Sequence, residues 1–128
     1  MQANYVFRVT VQLDPPEARL DPDRFETVCR LPAATPGTDG WLFFQYNLWR
    51  GAVADADHMQ ALLTDTLGVD VIAASFSELE TDAAYRAALE AEIKTDLSRF
   101  NADSVDAVVH QHLGSSIHVR DAEVIPDV

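Results

Sequence analysis

Asn47, Leu48, Trp49 and Arg50 close an apolar run and bring together the side chains best suited to chemistry in this chain. They lie in the stretch "FQYNLWRGAVADADH", Phe44 to His58, which turns through Gly51 into Asp-Ala-Asp-His. Asn47 is an amide among apolar neighbours, and a buried amide must find hydrogen-bond partners. The Arg50 guanidinium presents five donors in a planar fork that suits a carboxylate or phosphate, and it can also stack on an aromatic face. With Tyr46, these residues could floor a small pocket that orients an anionic ligand. They could equally close a core, with Arg50 paired to one of the 21 acids in its own chain or to an acid across a dimer.

The other reactive side chains are scattered. Asp55, Asp57 and His58 could supply oxygen and nitrogen ligands to a metal, but Asp57 also stands where a helix cap is needed, beside hydrated surface. His110 and His112 would share a face on a strand, yet they point about 200° apart on a helix. Their segment reads as helical, with His112 in its apolar stripe, which argues against a two-histidine clamp. A histidine base, His58 or His118, with Arg50 holding a substrate anion would make a small isomerase or hydrolase, the weakest of the functional readings. The chain has no Gly-x-Gly-x-x-Gly, P-loop, His-Glu-x-x-His, Gly-x-Ser-x-Gly or Cys-x-x-Cys. Cys29 is the single cysteine, so an intrachain disulfide and a multi-cysteine zinc site are both ruled out. No cofactor is expected.

The formal net charge is −12, with the acids spread along the chain. Asp outnumbers Glu, and Lys94 is the only lysine. Short, well-hydrated carboxylates with few lysine stems mark a protein adapted to molar salt, where the Debye length shrinks to about 3 Å and self-repulsion is screened. An acidic surface that mimics nucleic acid or binds cations is the rival account, and the interspersed acids disfavour it. Carboxylates therefore carry little functional information here. Direct nucleic-acid binding has no basic stripe to support it. No signal-peptide pattern opens the chain and no apolar run approaches the roughly 20 residues of a membrane span, so a cytoplasmic place is expected.

The elements that must position these residues follow from periodicity. Tyr5, Phe7, Val9, Val11 and Leu13 alternate with Val6, Arg8, Thr10 and Gln12 as in a half-buried strand. The breaker-rich "DPPEARLDPD" separates it from a second strand on Phe25, Thr27, Cys29 and Leu31. The stretch "WLFFQYNLW" is apolar on both faces and is expected to be a third, central strand. Asp57 and Gln60 suggest a capping box for a helix carrying Met59, Leu62, Leu63 and Leu67 and closed by Gly68. "VDVIAASF" reads as a strand, reached through a helical connection long enough for a parallel crossover. Thr81 and Asp82 cap a longer helix with Tyr85, Leu89, Ile93 and Leu97 on one face and Phe100 completing it. Ser104 starts a short helix with Val105, Val108, Val109, His112 and Leu113 at helical spacing, ended by Gly114, and "SSIHVR" makes a last strand.

The order β-β-β-α-β-α-α-β points to one α+β domain over residues 1–128, with residues 121–128 as a loose C-terminal tail. Its expected architecture is an antiparallel-rich mixed sheet of about five strands with two or three helices mainly on one face. Aromatics on the uncovered face of "WLFFQYNLW" would need a second subunit, so a homodimer through sheet faces or edges is expected. The run Leu48-Trp49-Arg50 in an acidic chain of this length resembles the LWR-salt proteins, a small family of halophilic archaea named for that tripeptide. The resemblance implies a salt-loving archaeal source and a conserved role for Leu48, Trp49 and Arg50, and it brings no activity, cofactor or catalytic residue with it. The leading expectation is a non-enzymatic interaction or accessory module. The alternative is a small-molecule domain with a pocket beside Trp49 and Arg50, which an apolar cavity with unpaired donors there would favour.

Overall fold

A computed structural model describes residues 1–13 and 23–120. In chain order they form β1 (Ala3–Gln12), β2 (Arg24–Pro32), α1 (Phe43–Asn47), β3 (Leu48–Trp49), β4 (Ala52–Val53) and α2 (Ala56–Leu67). These are followed by β5 (Asp70–Thr81), α3 (Ala83–Thr95), α4 (Leu97–Phe100), α5 (Val105–Leu113) and β6 (Ile117–Val119). The class is α+β, with a mixed four-stranded sheet in the order β2-β1-β5-β6 and a separate two-stranded hairpin, β3-β4. The proposed tail at 121–128 lies outside the described residues.

The period-two pattern of β1 works as expected. Tyr5, Phe7, Val9 and Val11 are buried in the core, and β1 pairs antiparallel with both β2 and β5. Two bulges in β5, at Ser77 and Ile72, keep its apolar residues on the core face, so Phe7 meets Phe76 and Val11 meets Val71. The parallel pairing is between β5 and β6, connected through α3, α4 and α5, rather than between two strands joined by α2.

The helices cover one face of the sheet. Met59 and Leu63 of α2, Tyr85, Leu89 and Ile93 of α3, and Val108 and Leu113 of α5 join the β1 residues in one buried cluster. Val6 is buried but lies outside that cluster, on the opposite face. Among the described residues, no helix is long and apolar enough to cross a membrane.

The expected third strand is the main correction. "WLFFQYNLW" is mostly helical: α1 runs through Phe43–Asn47, and only Leu48–Trp49 is extended. A short run that is apolar on every side fits a buried helix turn as well as a central strand. Packing decides in favour of the helix. Phe44, fully buried, stacks on Phe100 at 5.9 Å and meets Trp41 edge-on at 6.1 Å. The aromatics that were expected to need a partner on a sheet face are thus inside the fold, on α1 or, for Trp49, on the β3–β4 hairpin, and that ground for a dimer falls.

Helix starts need one correction. The α2 cap is Asp55, whose carboxylate accepts from the His58 amide at 3.1 Å, and no capping box forms from Asp57 and Gln60. Asp57 instead sits in the first turn, where its charge suits the helix dipole. Asp82 and Ser104 cap α3 and α5 as expected. The long helix expected up to Phe100 breaks at Asp96, and α4 then ends at Asn101 in the left-handed region.

Candidate functional site

The four candidate residues occupy the end of α1 and the tip of the β3–β4 hairpin. Asn47 stays within its own helix, its side-chain amide donating to the Phe43 carbonyl at 3.1 Å. That bond back to the preceding turn satisfies the amide locally and helps to end α1. Leu48 then enters extended backbone with its side chain buried. The hairpin pairs Leu48 with Val53 and Trp49 with Ala52, leaving Arg50 and Gly51 as a two-residue turn. Both have positive φ, 52° and 79°, the signs of a type I′ turn, which follows the natural twist of a hairpin.

This turn finishes α5. The last four carbonyls of a helix lack intrahelical donors, and here each has one. The Gly114 amide donates to His110 at 3.0 Å and the Arg50 amide to Gln111 at 2.7 Å. The Gly51 amide donates to His112 and the Ser116 amide to Leu113, both at 3.0 Å. The contact is tight because both sides use glycine. A Cβ on Gly51 would stand 3.1 Å from the Leu113 carbonyl oxygen, and one on Gly114 would stand 3.2 Å from that of Arg50.

His112 fastens the same junction from the other side. It is 4 % exposed, and its Nδ1 lies 3.0 Å from the Leu48 carbonyl, so Nδ1 carries the hydrogen and donates. Its ring packs edge-on against Phe44 and Trp49, both at 5.7 Å, and against Phe100 at 6.4 Å. A buried histidine in an aromatic cluster is thus the tie between α1, β3 and α5. His112 was legible in the sequence as a member of an apolar stripe, while its hydrogen-bond partner, 64 residues away, was not.

The side chains at the tip face outward. Trp49 is 47 % exposed and Tyr46 69 %. The Arg50 guanidinium lies over the Trp49 ring, 5.8 Å from its centroid. Among the described residues Arg50 forms no ion pair, although Arg8, Arg30, Arg86, Arg99 and Arg120 all do. Nearby, Arg99 is bonded to Asp96, which raises its pKa.

A groove of about 450 Å³ runs beside α1, lined by Gly37, Asp39, Trp41, Phe43, Tyr46 and Asn47 among others. Among the described residues its only charged lining residue is Asp39, and neither Trp49 nor Arg50 lines it. That lining does not suit an anion. The remaining candidates are dispersed: His58 lies at the start of α2, His110 is exposed on α5, and His118 pairs with Glu78 on the helix-free face of the sheet. Among the described residues, no three His, Cys, Asp or Glu side chains gather as a metal site. Burial raises the pKa of the Cys29 thiol, which disfavours the reactive thiolate.

No curated protein and no solved structure matches the chain. One family model does, that of the LWR-salt protein, over residues 1–123. Leu48-Trp49-Arg50, the tripeptide that forms the hairpin strand and turn here, lies inside that match, and the chain belongs to the LWR-salt protein family.

Proposed function

We propose that the chain is a non-enzymatic interaction module of the cytoplasm of salt-accumulating cells, one that self-associates and presents the Trp49–Arg50 tip to a partner. The observation that carries this is Arg50. In a chain with 21 acids, its guanidinium rests on an exposed indole and has no carboxylate partner among the described residues. Exposed Trp, Tyr and Arg are the residue types that anchor protein interfaces. The Arg50 backbone meanwhile holds α5, which fixes the tip on a rigid support. The net charge of −12 supports the salt adaptation, because dilute buffer leaves that repulsion unscreened.

A photo-crosslinking residue at position 46, in cells that maintain molar KCl, tests the tip. A discrete adduct is expected from position 46 and none from position 67, where Leu67 is also exposed but lies at the end of α2. Trp49→Ala should remove the adduct. Equal labelling from both positions, or none from position 46, would refute an interaction at the tip.

A further inference from the structure

The face of the sheet that no described helix covers differs in charge from the rest of this acidic chain. The strand register places Arg24, Glu26, Val28 and Arg30 of β2 on it, beside Val6, Arg8 and Thr10 of β1 and Asp70, Ser75, Glu78 and Glu80 of β5. Arg120, just after β6, reaches the same carboxylates. Among the described residues, four of the chain's nine Lys and Arg residues thus meet four of its 21 acids, and these charges sum to zero where the whole chain carries −12. Six of these eight charges are already linked: Arg30 to Glu80 at 3.1 Å, Arg120 to Glu78 at 3.0 Å, and Arg8 to Glu26 at 3.5 Å.

We infer that this face is the self-association surface and that a second copy of the chain covers it, packed face to face about a two-fold axis parallel to β1. The inference rests on the self-association part of the proposal above. The register makes the face complementary to itself. In the row Arg30–Val6–Glu78, arginine stands at the β2 end and the carboxylate at the β5 end. The row Arg24–Gln12–Asp70 has the same polarity. A two-fold axis along β1 lays β2 of one copy over β5 of the other and keeps each row opposite itself. Arg30 then faces Glu78 and Arg24 faces Asp70, twice each, as an isologous interface requires. Val6, already buried in the single chain, lies beneath the axis, and half-exposed Val28 supplies apolar surface beside it. Arg8, also close to the axis, keeps its own carboxylate, Glu26.

Elsewhere the excess of acids repels a second copy, whereas this face meets its equal without net charge. Three strands about ten residues long span roughly 33 by 14 Å, so two copies bury on the order of 1,000 Å², near the lower bound for a specific interface. The dimer is therefore expected to be weak and to need the screening of concentrated salt.

Paired charge reversals test this, with mass measured by light scattering in molar KCl. The wild type should have the mass of two chains. Arg30→Glu alone and Glu78→Arg alone should each fall to one chain, because like charges then face each other. An equimolar mixture of the two should recover the mass of two chains, since every facing pair is again opposite. Arg24→Asp with Asp70→Arg repeats the test at strand-end positions where both native side chains are exposed and the fold is least sensitive. A single-chain wild type would overturn the self-association reading itself. A wild-type dimer that persists in all the single variants would leave that reading standing and overturn this face as its surface. Folded single-chain variants that stay apart when mixed, in both pairs, would overturn the two-fold pairing.

Discussion

Two substitutions at position 50 separate what its backbone does from what its side chain does. Arg50 holds φ at 52°, and its amide donates to Gln111 at 2.7 Å. Any residue except proline can supply that amide, but an L side chain in the left-handed region costs about 1 kcal/mol or more. The side chain's one described contact within the fold is the stack on Trp49 at 5.8 Å, worth about 0.5–1 kcal/mol at an exposed site. Arg50→Ala removes the stack and keeps the backbone strain, so it should lose about 0.5–1 kcal/mol, a fall in Tm of a few degrees for a chain of this size. Arg50→Gly removes the stack and relieves the strain, so it should lie within about 0.5 kcal/mol of the wild type and above the alanine variant by about 1 kcal/mol. Thermal unfolding in molar KCl, followed by tryptophan fluorescence, reads both. A loss of about 3 kcal/mol or more in both variants, the mark of a broken buried ion pair, would refute this account of Arg50. Alanine proving more stable than glycine would refute the left-handed turn.

The His112 tie and the buried tyrosines give two more predictions. His112→Phe keeps a ring against Phe44, Trp49 and Phe100 but leaves the Leu48 carbonyl without its donor. It should cost about 1–3 kcal/mol by denaturant unfolding, and an unchanged midpoint would show that the bond does not hold the junction. Tyr85, whose hydroxyl donates to the Ala34 carbonyl, has its pKa pushed from 10.0 to about 12 by burial, and burial raises that of Tyr5 further. The unfolded chain ionises these phenols first, so stability is intact below pH 10 and falls as pH rises from 10 toward 12. Their phenolate absorbance should therefore appear together with the loss of folded signal in an alkaline titration; ionisation of both without unfolding would contradict their burial.

The parts of the fold set by a repeating period were legible in the sequence. Alternation gave β1, and helical spacing with side-chain caps gave α3 and α5 their starts at Asp82 and Ser104. The aromatic run was not legible as α1, because five residues do not establish a helical period. What turns that run into a helix is Phe44 stacking on Phe100, a contact far along the chain. The hairpin was hidden for a related reason: strands of two residues show no alternation, and Arg-Gly is a less obvious type I′ pair than Asn-Gly. The α2 cap shifted by two residues because the Asp55 and Asp57 carboxylates differ only in backbone geometry, and only Asp55 has the extended conformation a cap needs. Of the candidate site, the residue types were visible. Their division was not: Asn47 is satisfied within α1 by the Phe43 carbonyl, and the α5 junction sets the buried Leu48 apart from the exposed Trp49–Arg50 pair.

That division bears on why arginine stands at position 50 at all. The turn's structural task, donating two amides to the end of α5, would be performed at lower strain by glycine, as it is at the next residue. An arginine there adds strain to the fold and returns little beyond a surface stack. It also places a cation on the outside of a chain of charge −12 with no carboxylate paired to it among the described residues. Three of the four arginines of the open sheet face, Arg8, Arg30 and Arg120, are by contrast tied to glutamates. The two groups of cations therefore suit different contacts. Charges arranged with two-fold polarity fit an identical face, where Arg30 and Arg24 of one copy meet Glu78 and Asp70 of the other. A lone guanidinium on an exposed indole fits an acidic or aromatic group of another molecule, since nothing within the described fold completes it.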